Sequence, residues 1–194
     1  MDSETTGMAY ANQVDKHCPD PTHDVVNNLK YHAISWGLVV IDPYKMTIVD
    51  KLYITIKHDD TKYEWSKDAE KVHGLSRDWL EQHGETRLEA AILILEFILK
   101  YWDLNEAIST IGHNQVTFDH WFFRELLNEF DMMVKFGNRH IDTNYLTLGV
   151  YDVEGSNELF QLFNDRRVDH NALDDIIQTV NVFFETKKIF NSFL

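Results

Sequence analysis

At 194 residues the chain is long enough for one α/β domain with a sizeable core, and 44% hydrophobic with 13% aromatic residues excludes a disordered chain. No apolar run reaches membrane-spanning length without charges, no secretory leader is expected, and the single Cys18 excludes an internal disulfide, so the reading is no membrane and a reducing, cytoplasmic setting. A formal net charge of −14 excludes capture of nucleic acid by long-range attraction; such a substrate would be met through metal ions, main-chain N–H groups and a few basic side chains.

The chain opens with Asp2-Ser3-Glu4-Thr5-Thr6-Gly7-Met8. In an extended segment Asp2 and Glu4 point to the same side. Two carboxylates held together repel unless a cation lies between them, and oxygen ligands suit Mg²⁺ or Mn²⁺ better than zinc. Read alone, the stretch is equally an acidic terminus that frays. Residues 9–30 are polar, carry Pro19 and Pro21, and read as a long loop. His17, Cys18 and His23 lie in it without the fourth ligand or tight spacing that zinc requires.

The β-branched runs 31–42 and 46–56 flank Asp42-Pro43-Tyr44-Lys45 and predict a hairpin. Residues 68–83 read as two short helical pieces divided at Gly74, with Ser76 capping the second. Thr86 and Glu89 make a capping box for a helix over 86–102, with Leu88, Ala91, Ile92, Leu95, Ile98, Leu99 and Trp102 as its inward face. A short buried strand is expected over 107–112, then a turn at 113–117 with Thr117 as N-cap. A helix follows over 118–131, with Phe118, Trp121, Phe122, Leu126 and Phe130 inward. Residues 141–146 read as a strand or short helix, 156–164 as a helix, and 171–186 as a closing helix carrying Leu173, Ile176, Ile177, Val180 and Phe184. The fold class is α/β, a mixed sheet flanked by helices, and residues 1–194 are read as one domain.

Ligands of open α/β sheets gather at the carboxyl ends of strands. Asp119 starts a helix just after the strand ending at Gly112, and Asp175 lies one turn into the last helix. His170 can face the same point as Asp175 only from the loop before that helix, with Asp169 or Asn171 as its N-cap. Four acids and a histidine are the parts of two-metal phosphodiester hydrolysis. Two cations about 4 Å apart clamp the phosphate, and an imidazole takes the proton of the attacking water. Singly, each residue has a plainer explanation. Asp119 suits a first helical turn, His170 a position beside a cap, His73 a loop, and Asp142 a turn.

Asp2-Ser3-Glu4-Thr5-Thr6-Gly7 resembles the first motif of the DEDD exonuclease superfamily, which includes proofreading exonucleases and oligoribonucleases. Gly112-His113-Asn114 with Phe118-Asp119 is similar to the second motif. His170-Asn171-Ala172-Leu173-Asp174-Asp175 is similar to the third, in the subgroup with a histidine before the last aspartate (DEDDh). Val72-His73-Gly74-Leu75-Ser76 and Ile141-Asp142-Thr143 are weaker marks in the family's order. The resemblance implies a ribonuclease H-like fold, with two divalent cations (Mg²⁺ or Mn²⁺) on Asp2, Glu4, Asp119 and Asp175. It implies His170 as general base, with Asp175 and not Asp174 as the last acid. Thr5, Thr6, Gly7 and Met8 would meet the terminal nucleotide, and His73, His113 and Asn114 would position substrate. The implied activity is 3′–5′ removal of nucleotides from single-stranded or frayed ends, DNA before RNA. An oligoribonuclease and a catalytically inert interaction domain stay open, as does a protein partner that delivers substrate. Two departures stand beside it: only Met1 precedes Asp2, so the first central strand is expected to be missing or truncated, and the turn from Asn114 to Asp119 is one residue longer than the family's.

Overall fold

The computed structural model describes residues 1–7, 31–153, 155–163 and 170–193. The expected loop over 9–30, with His17, Cys18 and His23, lies outside the described residues, as does Met8. Strand β1 (Asp2–Thr5) pairs antiparallel with β2 (Ala33–Asp42), which pairs antiparallel with β3 (Thr47–Thr55). A second, parallel ladder joins β4 (Ile111–Gly112) to β5 (Ile141–Asp142). The main-chain nitrogen of Met1 donates to Ile111 O at 2.9 Å and links the two ladders. The first strand is thus present but only four residues long, and it carries the acidic motif itself.

Helices α1 (Lys67–His73) and α2 (Arg77–His83) follow the hairpin. They divide at Gly74, whose φ of 70° is open to glycine and strained for other residues. Ser76 caps α2 by accepting from Trp79 N. Helix α3 (Arg87–Leu99) opens with the full Thr86–Glu89 capping box. Helix α4 (Asp119–Asn128) follows β4. A single helical turn (Asn144–Leu146) and a π-helical turn (Thr147–Tyr151) lead to α5 (Ser156–Leu162), and α6 (Ala172–Asn191) closes the chain.

β2 and β3 fall within the expected runs 31–42 and 46–56, whereas the inward face of α3 differs from the expected one. On α3 the inward residues are Arg87, Ala90, Ala91, Ile94, Phe97 and Ile98, while Leu88 and Leu99 are each 45% exposed. The apolar stripe predicts Leu88 inward because it gives an arginine no place in a core. Arg87 enters through a paired site described below and rotates the helix. Helix α4 begins at Asp119 and not at Phe118, without a side-chain cap; Thr117 Oγ1 instead donates to Asn114 O and closes the preceding turn. Helix α6 runs five residues past its expected end, to Asn191.

The core joins Trp36, Leu38 and Val40 of β2 to Ala91, Ile94 and Phe97 of α3 and to Phe122, Phe123 and Leu126 of α4. Trp36 meets the Phe123 ring edge-on. Ile176 and Val180 of α6 are buried outside that cluster. Each large side chain so buried contributes about 1.5–3 kcal/mol. With both faces covered, β2 reads as a continuous apolar run and not an alternating one.

Candidate active site

Burial alternates along β1, with Ser3 and Thr5 buried and Asp2 and Glu4 half-buried, so the two acids share one side of the strand as the period of two requires. Across the ladder, Gly37 stands opposite Asp2. A Cβ at Gly37 would lie 2.2 Å from Ala172 O, so the bare glycine is what lets the first turn of α6 rest on β2. Asn171 caps that turn, its side-chain oxygen accepting from Leu173 N at 3.0 Å and Asp174 N at 3.3 Å. The cap leaves His170 outside the helix, turns Asp174 to solvent and buries Asp175.

A cleft of about 890 Å³ opens along β1. Asp2, Glu4 and Thr5 line it, as do Asp119, His170, His73, His113 and Asn114. Glu4, His170 and Asp175 each offer one ligand atom within 4.8 Å of the others, a set able to hold one cation. His170 is 41% exposed, and its Nδ1 is 3.9 Å from Asp175 Oδ2. Asp175 itself is 3% exposed. Asp119, 2% exposed, accepts from Ser3 Oγ at 2.6 Å.

The electrostatics follow from four acids in one place. Burial, and then the carboxylates of Asp119, Asp175 and Glu4, hold the Asp2 carboxyl well above the usual carboxylate range. Burial pushes Asp119 up to about 6, against the pull of the Ser3 hydrogen bond. None of the described residues lining the cleft is lysine or arginine. A donor set of four carboxylates and an imidazole without a cationic side chain fits hard divalent ions, whose charge would relieve this repulsion.

The remaining candidate residues divide. His73 ends α1, buried, its Nδ1 accepting from Leu75 N at 3.0 Å; burial lowers its pKa. His113 Nδ1 is 3.1 Å from Thr143 Oγ1. Asn114, in the left-handed region at φ 57°, donates from its main chain to Asp142 Oδ1 at 2.9 Å. Asp142 also accepts from Asn144 N, so it serves the turn. Thr6 and Gly7 are not brought to the cleft wall. Thr6 is fully buried and exchanges main-chain and side-chain hydrogen bonds with His32. A Cβ at Gly7 would overlap the Tyr31 ring. In the turn from Asn114 to Asp119, Gln115 folds inward and donates from Nε2 to Ile141 O at 3.2 Å.

Sequence reasoning missed Ser3 and the cleft residues Ser66 and Asp68. Strand alternation gives Ser3 no reason to be read with Asp2 and Glu4, yet its hydroxyl donates to Asp119. Ser66 reaches the cleft because its main-chain N–H donates to Thr6 O at 2.8 Å, a tertiary contact without a local signal.

No protein-family model and no curated protein matches the sequence. Solved structures do match. The nuclease domain of 3′hExo, described as a DEDDh family member bound to rAMP, is 12% identical; the likeness covers 96% of this chain and 89% of that one at a TM-score of 0.67. Pop2p of S. pombe, in a Mg²⁺- and Mn²⁺-bound form, is 15% identical over 96% of this chain and 81% of that one, at 0.69. E. coli exonuclease I in complex with an oligonucleotide is 15% identical over 93% of this chain and 38% of that one, at 0.61. The chain therefore has a ribonuclease H-like α/β fold. More narrowly, the fold is shared over nearly the whole chain with the nuclease domain of 3′hExo.

Proposed function

We propose that the chain is a divalent-cation-dependent 3′–5′ exonuclease that removes nucleotides from single-stranded or frayed ends. The observation that carries this reading is the meeting of Asp2, Glu4, Asp119, His170 and Asp175, from three separate stretches of the chain, around one cleft with no lysine or arginine among its described lining residues. The printed subjects of the similar structures agree: bound oligonucleotide in exonuclease I, bound rAMP in 3′hExo, bound Mg²⁺ and Mn²⁺ in Pop2p.

In this mechanism Asp2, Glu4, Asp119 and Asp175 would hold the cations, the charges of the other three acids all acting on Asp2. Two cations, Mg²⁺ or Mn²⁺, would supply charge neutralisation, a more acidic bound water and a stabilised leaving oxygen. His170, its Nδ1 3.9 Å from Asp175 Oδ2, takes the proton of the attacking water. Ser3 holds Asp119 in place by its hydrogen bond. Thr5, His73, His113 and Asn114 along the wall meet the terminal nucleotide. The cations also offset the repulsion between this acidic chain and an anionic strand.

The test is incubation with 5′-labelled single-stranded DNA and RNA oligonucleotides and Mg²⁺ or Mn²⁺. The expected result is stepwise shortening from the 3′ end that stops on chelation and is abolished in Asp119→Ala. An unshortened ladder on both substrates, or shortening that Asp119→Ala leaves unchanged, contradicts the reading.

A further inference from the structure

One set of ligand atoms in the cleft is mixed in chemistry. Among the described residues, Glu4, His170 and Asp175 form the one group of three or more potential metal ligands with an atom each within 4.8 Å of the others. Two carboxylates and an imidazole thus converge, and neither Asp2 nor Asp119 belongs to the group. Glu4 comes from β1, Asp175 from the first turn of α6, and His170 from the residue before the Asn171 cap. His170 Nδ1 stands 3.9 Å from Asp175 Oδ2. That is too long for a hydrogen bond, and it lies within the span of about 4.2 Å open to two donors that each bind one zinc ion at about 2.1 Å. Asp175 is buried and fixes one side of the group; the exposed imidazole can close onto an ion without disturbing the core.

This imidazole has two uses that exclude each other. A neutral imidazole has one acceptor nitrogen, and its other nitrogen carries hydrogen. With that lone pair on a metal ion, none is left for the proton of a water. Which use prevails depends on the ion. Mg²⁺ takes oxygen ligands and keeps several waters, and Mn²⁺ stands at the weak end of the divalent series, so carboxylates satisfy both. Zn²⁺ stands near the strong end and takes imidazole nitrogen beside carboxylate oxygen, the donor set that meets here. We propose that Glu4, His170 and Asp175 form a zinc site that differs in composition from the all-carboxylate set for Mg²⁺ or Mn²⁺. Zinc bound there silences the chain by occupying the imidazole that serves as general base. The site rests on the geometry of the three side chains; the silencing rests on the nuclease reading.

The experiment titrates Zn²⁺ and Mg²⁺ separately into the metal-free full chain by calorimetry, without oligonucleotide, and repeats both in His170→Ala. The variant should bind zinc about 10-fold or more weakly, at least the loss that removing an outer partner of a ligand brings, and should bind magnesium as the wild type does. A second measurement needs no variant to fold: nitrogen NMR of the wild-type histidine side chains should show a His170 ring nitrogen moved by Zn²⁺ and left in place by Mg²⁺. Zinc affinity that His170→Ala leaves unchanged, magnesium affinity that falls equally, or an unmoved His170 resonance overturns the site. A separate arm adds Zn²⁺, at the concentration that fills the site, to chain that is shortening an end-labelled oligonucleotide with Mg²⁺. Shortening should slow by about 10²-fold or more, the share of a general base. Undiminished shortening with zinc on His170 overturns the silencing. A chain that cuts nothing with Mg²⁺ alone contradicts the nuclease reading instead, and the first two measurements still decide the zinc site.

Discussion

Two regions of the molecule take carboxylates out of water, and they balance the charge differently. At the base of α3, Glu125 is 4% exposed, and both its oxygens accept from Arg87 Nη2, at 2.8 and 2.9 Å. Arg87 Nε donates to Glu129 at 2.7 Å, and Tyr63 donates its hydroxyl to Glu125. Arginine cannot accept, so its third contact, 3.0 Å to His32 Nδ1, fixes that nitrogen as acceptor, and His32 Nε2 donates on to His58. Burial and the Arg87 charge hold His32 well below the usual imidazole range, hence neutral. Lys62 Nζ, 3.2 Å from Glu129 and 3.8 Å from Glu125, supplies the second positive charge, so two cations face two carboxylates. In the cleft, Asp2 and Asp119 are pushed upward by burial, and Asp2 also by its acidic neighbours, with no arginine or lysine among the described residues of the wall. Beside Asp2 and Asp119 lies the Met1 ammonium, whose pKa burial lowers to about 6; an acid cluster facing no lysine or arginine is suited to cations from solution.

The sharpest way to break this comparison is to remove one acid from each region. In the cleft, Asp2→Asn should cost activity by about 10³-fold or more while raising the melting temperature of the metal-free protein, because it relieves repulsion. A loss of metal-free stability would count against a cleft strained by like charge. In the balanced cluster, Glu125→Ala takes from Arg87 the carboxylate that accepts from Nη2 at 2.8 and 2.9 Å, leaves it only the half-buried Glu129, and should cost about 3–5 kcal/mol in denaturant unfolding. The variant should retain nuclease activity at temperatures where it stays folded. A stability loss under about 1 kcal/mol would show that the network does not act as a paired unit.

The pH dependence sharpens the contrast. Asp119 sits near 6 in the fold against 3.8 for an ordinary aspartate. A raised carboxyl holds its proton more tightly when folded. Its contribution is therefore complete below about pH 4 and lost as the pH rises through about 6, on the order of 3 kcal/mol. The gap in melting temperature between Mn²⁺-loaded and chelated protein should widen between pH 4 and 7. A gap that stays flat over that range contradicts the assignment. The smallest effect is geometric: Gly37→Ala would push Ala172 and the start of α6 off β2, at about 1–3 kcal/mol. It should lower activity further than the lost stability accounts for, because Asp175 moves with the turn; activity per folded molecule at the wild-type level would argue that Gly37 does not set the site.

What was legible in the sequence follows from how local each signal is. The hairpin, the capping box, the break at Gly74 and the Asn171 cap before Asp175 rest on residues within a few positions of one another, and they appear as expected. The candidate residues are brought together in the fold, and for Asp2 and Glu4 strand alternation alone puts both on one side. Arg87 was illegible because its partners, Glu125 and Glu129, are about forty residues away, and without them an arginine reads as surface. Thr6 was expected at the substrate; instead its neighbour across the sheet, His32, ties it down. Gly7 looked like room for a ligand, and the space is taken by Tyr31.

The account rests on the cleft acids holding paired cations, and Mn²⁺ titration followed by calorimetry and electron paramagnetic resonance tests it most directly. Wild-type protein should bind about two Mn²⁺ per chain close enough to couple magnetically, and Asp2→Asn, removing the acid on which the charges of the other three act, should lose that coupling. Wild-type protein that binds no Mn²⁺, or an Asp2→Asn variant that binds it unchanged, would contradict the account.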